Sequence, residues 1–418
     1  MRNLRCAGVA AKVAAGPITA HWLISLLCAA LLALADVTPV RAGVTNPDVS
    51  VIGQPFISLS DDRGAEGIGN PDRNRLQLNP GEAEVVIDSY LNPYARGTFV
   101  FAFGDGEAGV EEAYFQLLRG LPGGLSLKGG KYRVGFGRLN QIHPHAYPFA
   151  ERLRVLASYL PGEEAFNETG LSLSGRIPMP GEFSLIASAD WLQGDSFQTA
   201  SGEKRAAQNL RETGGGGSRP AVCGRLAGFT MLGERSGLEF GLSGTHGTND
   251  PDEMLRTTVL GADLKAKLWS SPRSCLVLQA EALRLSHDLL MGAEQQEGSG
   301  SETVDAAGGS LFADYNFNTR YNVGLSYERF QQPSLSASGR PPAEAIFGIE
   351  KTWDSAIGVF AGFSLMEETT AVRFGWERFQ PGTPDATDGI PAPKCPDAIN
   401  TFTVRMIFSM GPHKAHQF

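Results

Sequence analysis

Apolar and polar residues alternate along much of this chain with a period of two. In 399–410 (INTFTVRMIFSM), Phe402, Val404, Met406, Phe408 and Met410 share one face, while Thr401, Thr403, Arg405, Ile407 and Ser409 fall on the other. Side chains alternate across a strand, so such a segment has one apolar and one mostly polar face. The same pattern puts Phe99, Phe101 and Phe103 together in 94–103. It sets Ala113, Phe115 and Leu117 against Glu112, Tyr114 and Gln116 in 109–118. Similar stretches recur at 83–92, 124–134, 169–176, 182–191, 224–233, 236–246, 257–269, 274–286, 306–318, 320–331, 355–366 and 369–379. Each approaches the 9–11 residues of a tilted membrane-crossing strand. Glycines spread through these segments disfavour helix.

The connections sort by length. Tight turns are expected at 92–93, 121–123, 177–181, 233–235, 270–273 and 318–319. Long polar stretches occupy 135–168, 192–223, 247–256, 287–305, 332–354 and 380–398. Short turns at one end and long loops at the other are the layout of an outer-membrane barrel. With long loops outside, the last strand runs inward, and an even strand count then requires one further strand before residue 83. Only 49–59 (VSVIGQPFISL) can supply it, with Pro55 confining it to an edge or a bulge. Segment 344–353 is read as an extension of an outer hairpin. The expected fold is therefore all-β: a transmembrane, antiparallel, up-and-down barrel of about 16 strands, within a range of 14–18.

A sheet spans hydrocarbon only if it closes, because unpaired backbone groups are costly there. The apolar faces would meet lipid, and Glu112, Gln116 and Arg405 would face the lumen. Tyr90, Tyr94, Tyr132, Trp191, Trp269, Trp353, Trp376 and Phe379 fall near strand ends, where aromatic girdles sit.

Residues 1–42 read as a signal peptide: Arg2, Arg5 and Lys12 precede an apolar run at 22–35, and Val40-Arg41-Ala42 offers a cleavage-proximal site. The run is short for a spanning anchor. Residues 43–82 form an N-terminal segment with the first strand and an outer loop, and 83–418 form the barrel proper. Removing the leader deepens the net charge from −9 to −12, since four of 36 basic and one of 45 acidic residues leave with it. That balance disfavours nucleic acid as a partner. Cys223, Cys275 and Cys395 remain, an odd number with no zinc spacing. One bridge, Cys223 to Cys395, is admitted in an oxidising compartment.

Several stretches resemble a family of bacterial outer-membrane porin-like proteins: NPDVSVIGQP at 46–55, LNPYAR at 91–96, GVEEAYFQLL at 109–118, GGKYRVGFGRLNQIHPHAYPF at 129–149 and GPHKAHQF at 411–418. These proteins are often labelled zinc-regulated TonB-dependent receptors and are distantly similar to phosphate-selective porins. The resemblance implies a transport barrel in outer-membrane lipid. It also implies that Phe418 is the terminal residue presented to the barrel-assembly machinery. The TonB label sits poorly with the residues, since such receptors use 22 strands and a plug, and about 40 residues precede Glu82 after the leader.

Loop 135–168 carries the candidate chemistry. Arg138, His143, His145, Arg152, Arg154, Glu163 and Glu164 would line a constriction if it folds inward. His143-Pro144-His145 offers two imidazoles to zinc or copper, with no third ligand readable from the sequence. No GxSxG or phosphate-binding motif suggests an enzyme or a cofactor. The expected function is passive diffusion of small hydrophilic solutes or ions. The alternative is a filled barrel acting as a receptor or metal-uptake protein, and a homo-oligomer suits either.

Overall fold

A computed structural model of the chain describes residues 47–64, 70–104, 106–162, 165–198, 219–251, 254–290, 301–337, 347–366, 369–382 and 397–412. The expected signal peptide at 1–42, Glu163, Glu164, Cys395 and Phe418 lie outside these residues.

Sixteen antiparallel strands form one closed sheet. Strand β1 comprises Asp48–Gly53 and Phe56–Ser60, and β2 comprises Leu76–Asn79 and Ala83–Asn92. The others are β3 Ala95–Gly104, β4 Glu107–Leu117, β5 Ser126–Arg133, β6 Asn167–Ile177, β7 Ser184–Leu192 and β8 Ala221–Leu232. They continue as β9 Ser236–Asp250, β10 Leu255–Ser271, β11 Ser274–Leu290, β12 Ser301–Phe317, β13 Tyr321–Ala337, β14 Phe347–Met366, β15 Thr370–Gln380 and β16 Ile399–Met410. Each pairs with its sequence neighbour. The seam closes between β1 and β16, where Gly53 opposes Phe408 and Ile57 opposes Val404. The strand expected at 49–59 is thus a wall strand, and the wall begins at Asp48 rather than at residue 83.

The interruption expected at Pro55 is present, and β2 breaks beside it at 80–82. Gln54 donates its amide N–H to the Glu82 carbonyl at 3.1 Å, and the Pro55 carbonyl accepts from Met406 at 2.9 Å, so the seam stays paired through the break. Gly81 makes this close approach (φ +66°); a Cβ there would fall 1.9 Å from the Gln54 carbonyl oxygen.

One expectation about length changes. Strands β10 to β13 each run 17 residues and β14 runs 20, absorbing much of the loops expected at 247–256, 287–305 and 332–354. A strand that rises beyond the apolar band needs no apolar face, so alternation does not mark where it stops. The extension of the outer hairpin expected at 344–353 is such a rise from Phe347 onward, with Ala337 opposite Phe347.

Leu242, Leu260, Leu311, Leu325, Phe374 and Phe402 stand exposed on the outer surface, while their neighbours Ser243, Ser310 and Thr403 are buried inside. Continuous exposed apolar surface of this extent marks an interface with lipid or protein. Trp191, Trp353 and Trp376 keep to outward positions opposite Val222, Gln331 and Phe402. On the turn side Tyr315, Phe317, Tyr321 and Phe363 form one outward stack. Tyr132 and Phe379 do not belong to a girdle: Tyr132 is buried, with its hydroxyl donating to Asp190 at 3.0 Å, and Phe379 packs on the inner core.

The buried core lies inside the barrel. The segment between β5 and β6, described at 134–162 and 165–166, folds into the lumen with a short helix α1, Arg154–Tyr159. Its Phe136, Leu156, Tyr159 and Phe166 pack with wall residues such as Val259, Phe312, Phe330 and Phe360. The inner face is therefore not uniformly polar, since part of it is apolar to receive this loop.

Candidate functional site

The inward loop is tied at its neck by one side chain. Asn140 donates to the carbonyls of Val134 and Phe166, both at 3.0 Å, and accepts from the Phe166 amide at 2.9 Å. Wall carboxylates then hold the loop across the lumen. Glu281 on β11 accepts from the amides of Arg138 and Leu139 at 2.9 and 2.8 Å, and Glu328 on β13 accepts from Val155 at 2.9 Å. Buried amides need partners, and charged acceptors are the stronger ones.

The loop residues expected to form a constriction are distributed around this plug. Arg138 pairs with Glu239 at 2.6 Å. Arg154 pairs with Glu377 at 2.7 Å and lies over the Phe379 ring. Arg152 is half-buried and acts on the Tyr147 phenol. Of the expected lumen residues, Glu112 is buried inside, Gln116 donates to Ser126 at 3.2 Å, and Arg405 donates to Gln54 and Glu151, both at 3.3 Å.

His143 and His145 come together with residues that sequence pattern did not single out. Pro144 opens a tight turn, closed by the Ala146 amide donating to the His143 carbonyl at 2.9 Å, and the two rings lie 5.5 Å apart. Against them stands Glu84 of β2, fully buried. Glu84 Oε1 lies 3.0 Å from His145 Nδ1 and accepts from Gln54 Nε2 at 3.1 Å. Glu84 Oε2 lies 3.2 Å from His143 Nδ1, and Glu111 Oε2 lies 3.5 Å from the same nitrogen. His143 Nε2 meets Glu112 Oε1 at 2.8 Å. Arg133 of β5 pairs with Glu111 and lies 4.0 Å from Glu112.

Two wall irregularities build this cluster. The register of β4 slips where Val100 faces Glu112 but Phe101 faces Val110, leaving Glu111 as an extra residue. A bulge re-aims side chains, and here two consecutive carboxylates reach His143 of the loop. The break in β1 likewise brings Gln54 inward to Glu84. Burial and Arg133 oppose a proton on His143, but the carboxylates of Glu111, Glu112 and Glu84 facing its ring nitrogens outweigh them and hold its pKa well above the ordinary imidazole value. Alternation names only one of two adjacent glutamates as inward, so the bulge hid Glu111. Glu84 had only its even parity with Asp88 to mark it.

Beneath the loop, on the side of the tight turns, lies a cavity of about 270 Å³. Lys267, Gln279, Asp314, Asn322 and Arg373 are among its lining residues, with Pro148 of the loop as part of its roof.

No family model matches the chain. An uncharacterized protein of Aquifex aeolicus (strain VF5) is 28% identical over 356 residues, covering 82% of this chain and 70% of that one. Among solved structures, the outer membrane channel DcaP of Acinetobacter baumannii is similar with a TM-score of 0.52 at 11% identity, covering 87% of this chain and 97% of that chain. The anion-selective porin from Comamonas acidovorans gives 0.51 at 12% identity, covering 87% and 100%. OprB of Pseudomonas putida gives 0.52 at 9% identity, covering 87% and 94%. A wall of sixteen strands does not support the TonB-dependent label, which calls for 22. What the likenesses establish is the fold: a closed, antiparallel, sixteen-strand barrel of the kind porins have.

Proposed function

We propose that this protein is an outer-membrane channel for small hydrophilic solutes or ions, its path narrowed by the loop at 134–166. The observation that carries the reading is the opposition of surfaces across one wall. Leu311 faces outward beside inward Ser310, and Phe402 beside inward Thr403. A barrel in lipid with a polar interior satisfies both faces. Lys267 and Arg373 share the cavity under the loop with Asp314, so charges of both signs line it. Reconstitution into planar bilayers tests the reading: stepwise conductance is expected, and a folded, heat-modifiable barrel that never conducts refutes it.

The loop's apolar packing favours a second reading. Phe136, Val155 and Phe166 are fully buried within the barrel, as in a filled lumen. A receptor or uptake protein of this kind would bind a ligand without passing ions. Proteoliposomes that retain small sugars and salts while the protein binds a ligand would favour it.

A further inference from the structure

We propose that Glu84, His143 and His145, with Glu111 as a fourth ligand, form a binding site for one divalent transition-metal ion of the zinc class in the lumen wall. This stands apart from conduction and is tested without any flux measurement.

Ligand atoms around a four-coordinate zinc, with bonds of about 2.0–2.1 Å, lie about 3.3 Å apart. His143 Nδ1 lies 3.2 Å from Glu84 Oε2 and 3.5 Å from Glu111 Oε2, and His145 Nδ1 lies 3.0 Å from Glu84 Oε1. One ligand atom from each of Glu84, His143 and His145 falls within 4.8 Å of the others. A small movement of these side chains onto a common ion is enough.

The surroundings point the same way. The contact of Glu84 Oε2 with His143 lacks hydrogen-bond geometry, so this fully buried oxygen has no hydrogen-bond partner. Buried carboxylate oxygens are rarely left so. His143 turns its other nitrogen, Nε2, onto Glu112 at 2.8 Å. A carboxylate behind the far nitrogen of a ligating histidine fixes its tautomer and orientation. Gln54 does the corresponding service for Glu84.

Charge agrees. With neutral imidazoles, as metal ligation requires, Glu84, Glu111 and Glu112 face one arginine, Arg133. Glu82, whose carboxylate lies within 4.8 Å of those of Glu84 and Glu111, adds a further negative charge. A dication offsets that surplus. Two nitrogen and two oxygen donors suit zinc, cobalt or copper better than magnesium or calcium, which take oxygen.

The test is calorimetric titration of the full-length, detergent-solubilised barrel with Zn²⁺, and with Co²⁺ followed by visible absorption. One ion per barrel is expected, with the intense bands of four-coordinate Co²⁺ and no competition from Mg²⁺ or Ca²⁺. Glu84→Gln and His145→Ala should each weaken binding at least about 100-fold, and Glu112→Gln by about 10–100-fold as an orienting partner. His413→Ala with His416→Ala should leave it unchanged. Absence of stoichiometric binding by the wild type would overturn the proposal. So would binding that survives loss of both Glu84 and His145, or that disappears with His413 and His416. If a variant fails to assemble, the wild-type titration with its Co²⁺ spectrum decides.

Discussion

Glu281 of the wall and Leu139 of the inward loop are joined by a 2.8 Å hydrogen bond from the Leu139 amide to the Glu281 carboxylate, 142 residues apart in sequence. The Arg138 amide donates to the same oxygen. Leaving a buried amide without its partner costs about 1–3 kcal/mol. Glu281→Ala should therefore loosen the loop by a few kcal/mol and leave the wall assembled. Limited proteolysis checks this: new cleavage within 134–166 is expected, with heat-modifiability unchanged.

The loop's apolar packing makes a separate prediction. Phe136 is fully buried, and its ring lies against Gly261 of β10 so closely that a Cβ there would fall 2.9 Å from it. Phe136→Ala should cost about 3–5 kcal/mol of loop stability. Gly261→Val should displace the same ring from the wall side. Hydrogen exchange of loop amides reads both: faster exchange at 134–166 is expected, with β10 and β11 still protected.

Gly81 tests the seam. Its left-handed backbone alone costs a substituted residue about 1–2 kcal/mol, and the Gln54 carbonyl blocks any Cβ. Gly81→Ala should lower the urea midpoint of unfolding and reduce the assembled fraction. An unchanged midpoint would mean that the β1 and β2 breaks are not held as described.

The loop-side end of that seam is pH-dependent. Asp61 accepts from the Asn400 amide at 2.6 Å and from its side chain at 2.8 Å, and these bonds hold its carboxyl below the ordinary value. A carboxyl lowered on folding stabilises above its unfolded pKa, about 3.9. That contribution is lost as pH falls through the lowered folded value. Exchange of the Asn400 amide should quicken below about pH 4 in the wild type and lose that pH dependence in Asp61→Asn.

Much of the wall was legible because an apolar outer face and a largely polar inner face impose alternation on it. Phe402 to Met410 on one face, the parity requirement for a strand at 49–59 and the break at Pro55 all follow from that constraint. The inside was less legible. At Leu311 and Phe312 both faces are apolar, one exposed on the outer surface and one toward the loop, and hydropathy cannot separate these two surroundings. Tyr132 and Phe379 were misread as girdle residues for the same reason. The loop's inward fold was open in the sequence, because His143 and His145 reveal their site only once the β4 bulge and the β2 strand bring Glu111 and Glu84 to them. Glu111 and Glu84 lie 32 and 59 residues from His143 along the chain.

The account rests on a wet barrel narrowed by a pinned loop. Single-channel recording of the wild type beside Glu281→Ala in planar bilayers tests it most directly. Small, stepwise conductance in the wild type and larger, noisier steps in Glu281→Ala are expected. Assembled barrels of both that pass no current would contradict it.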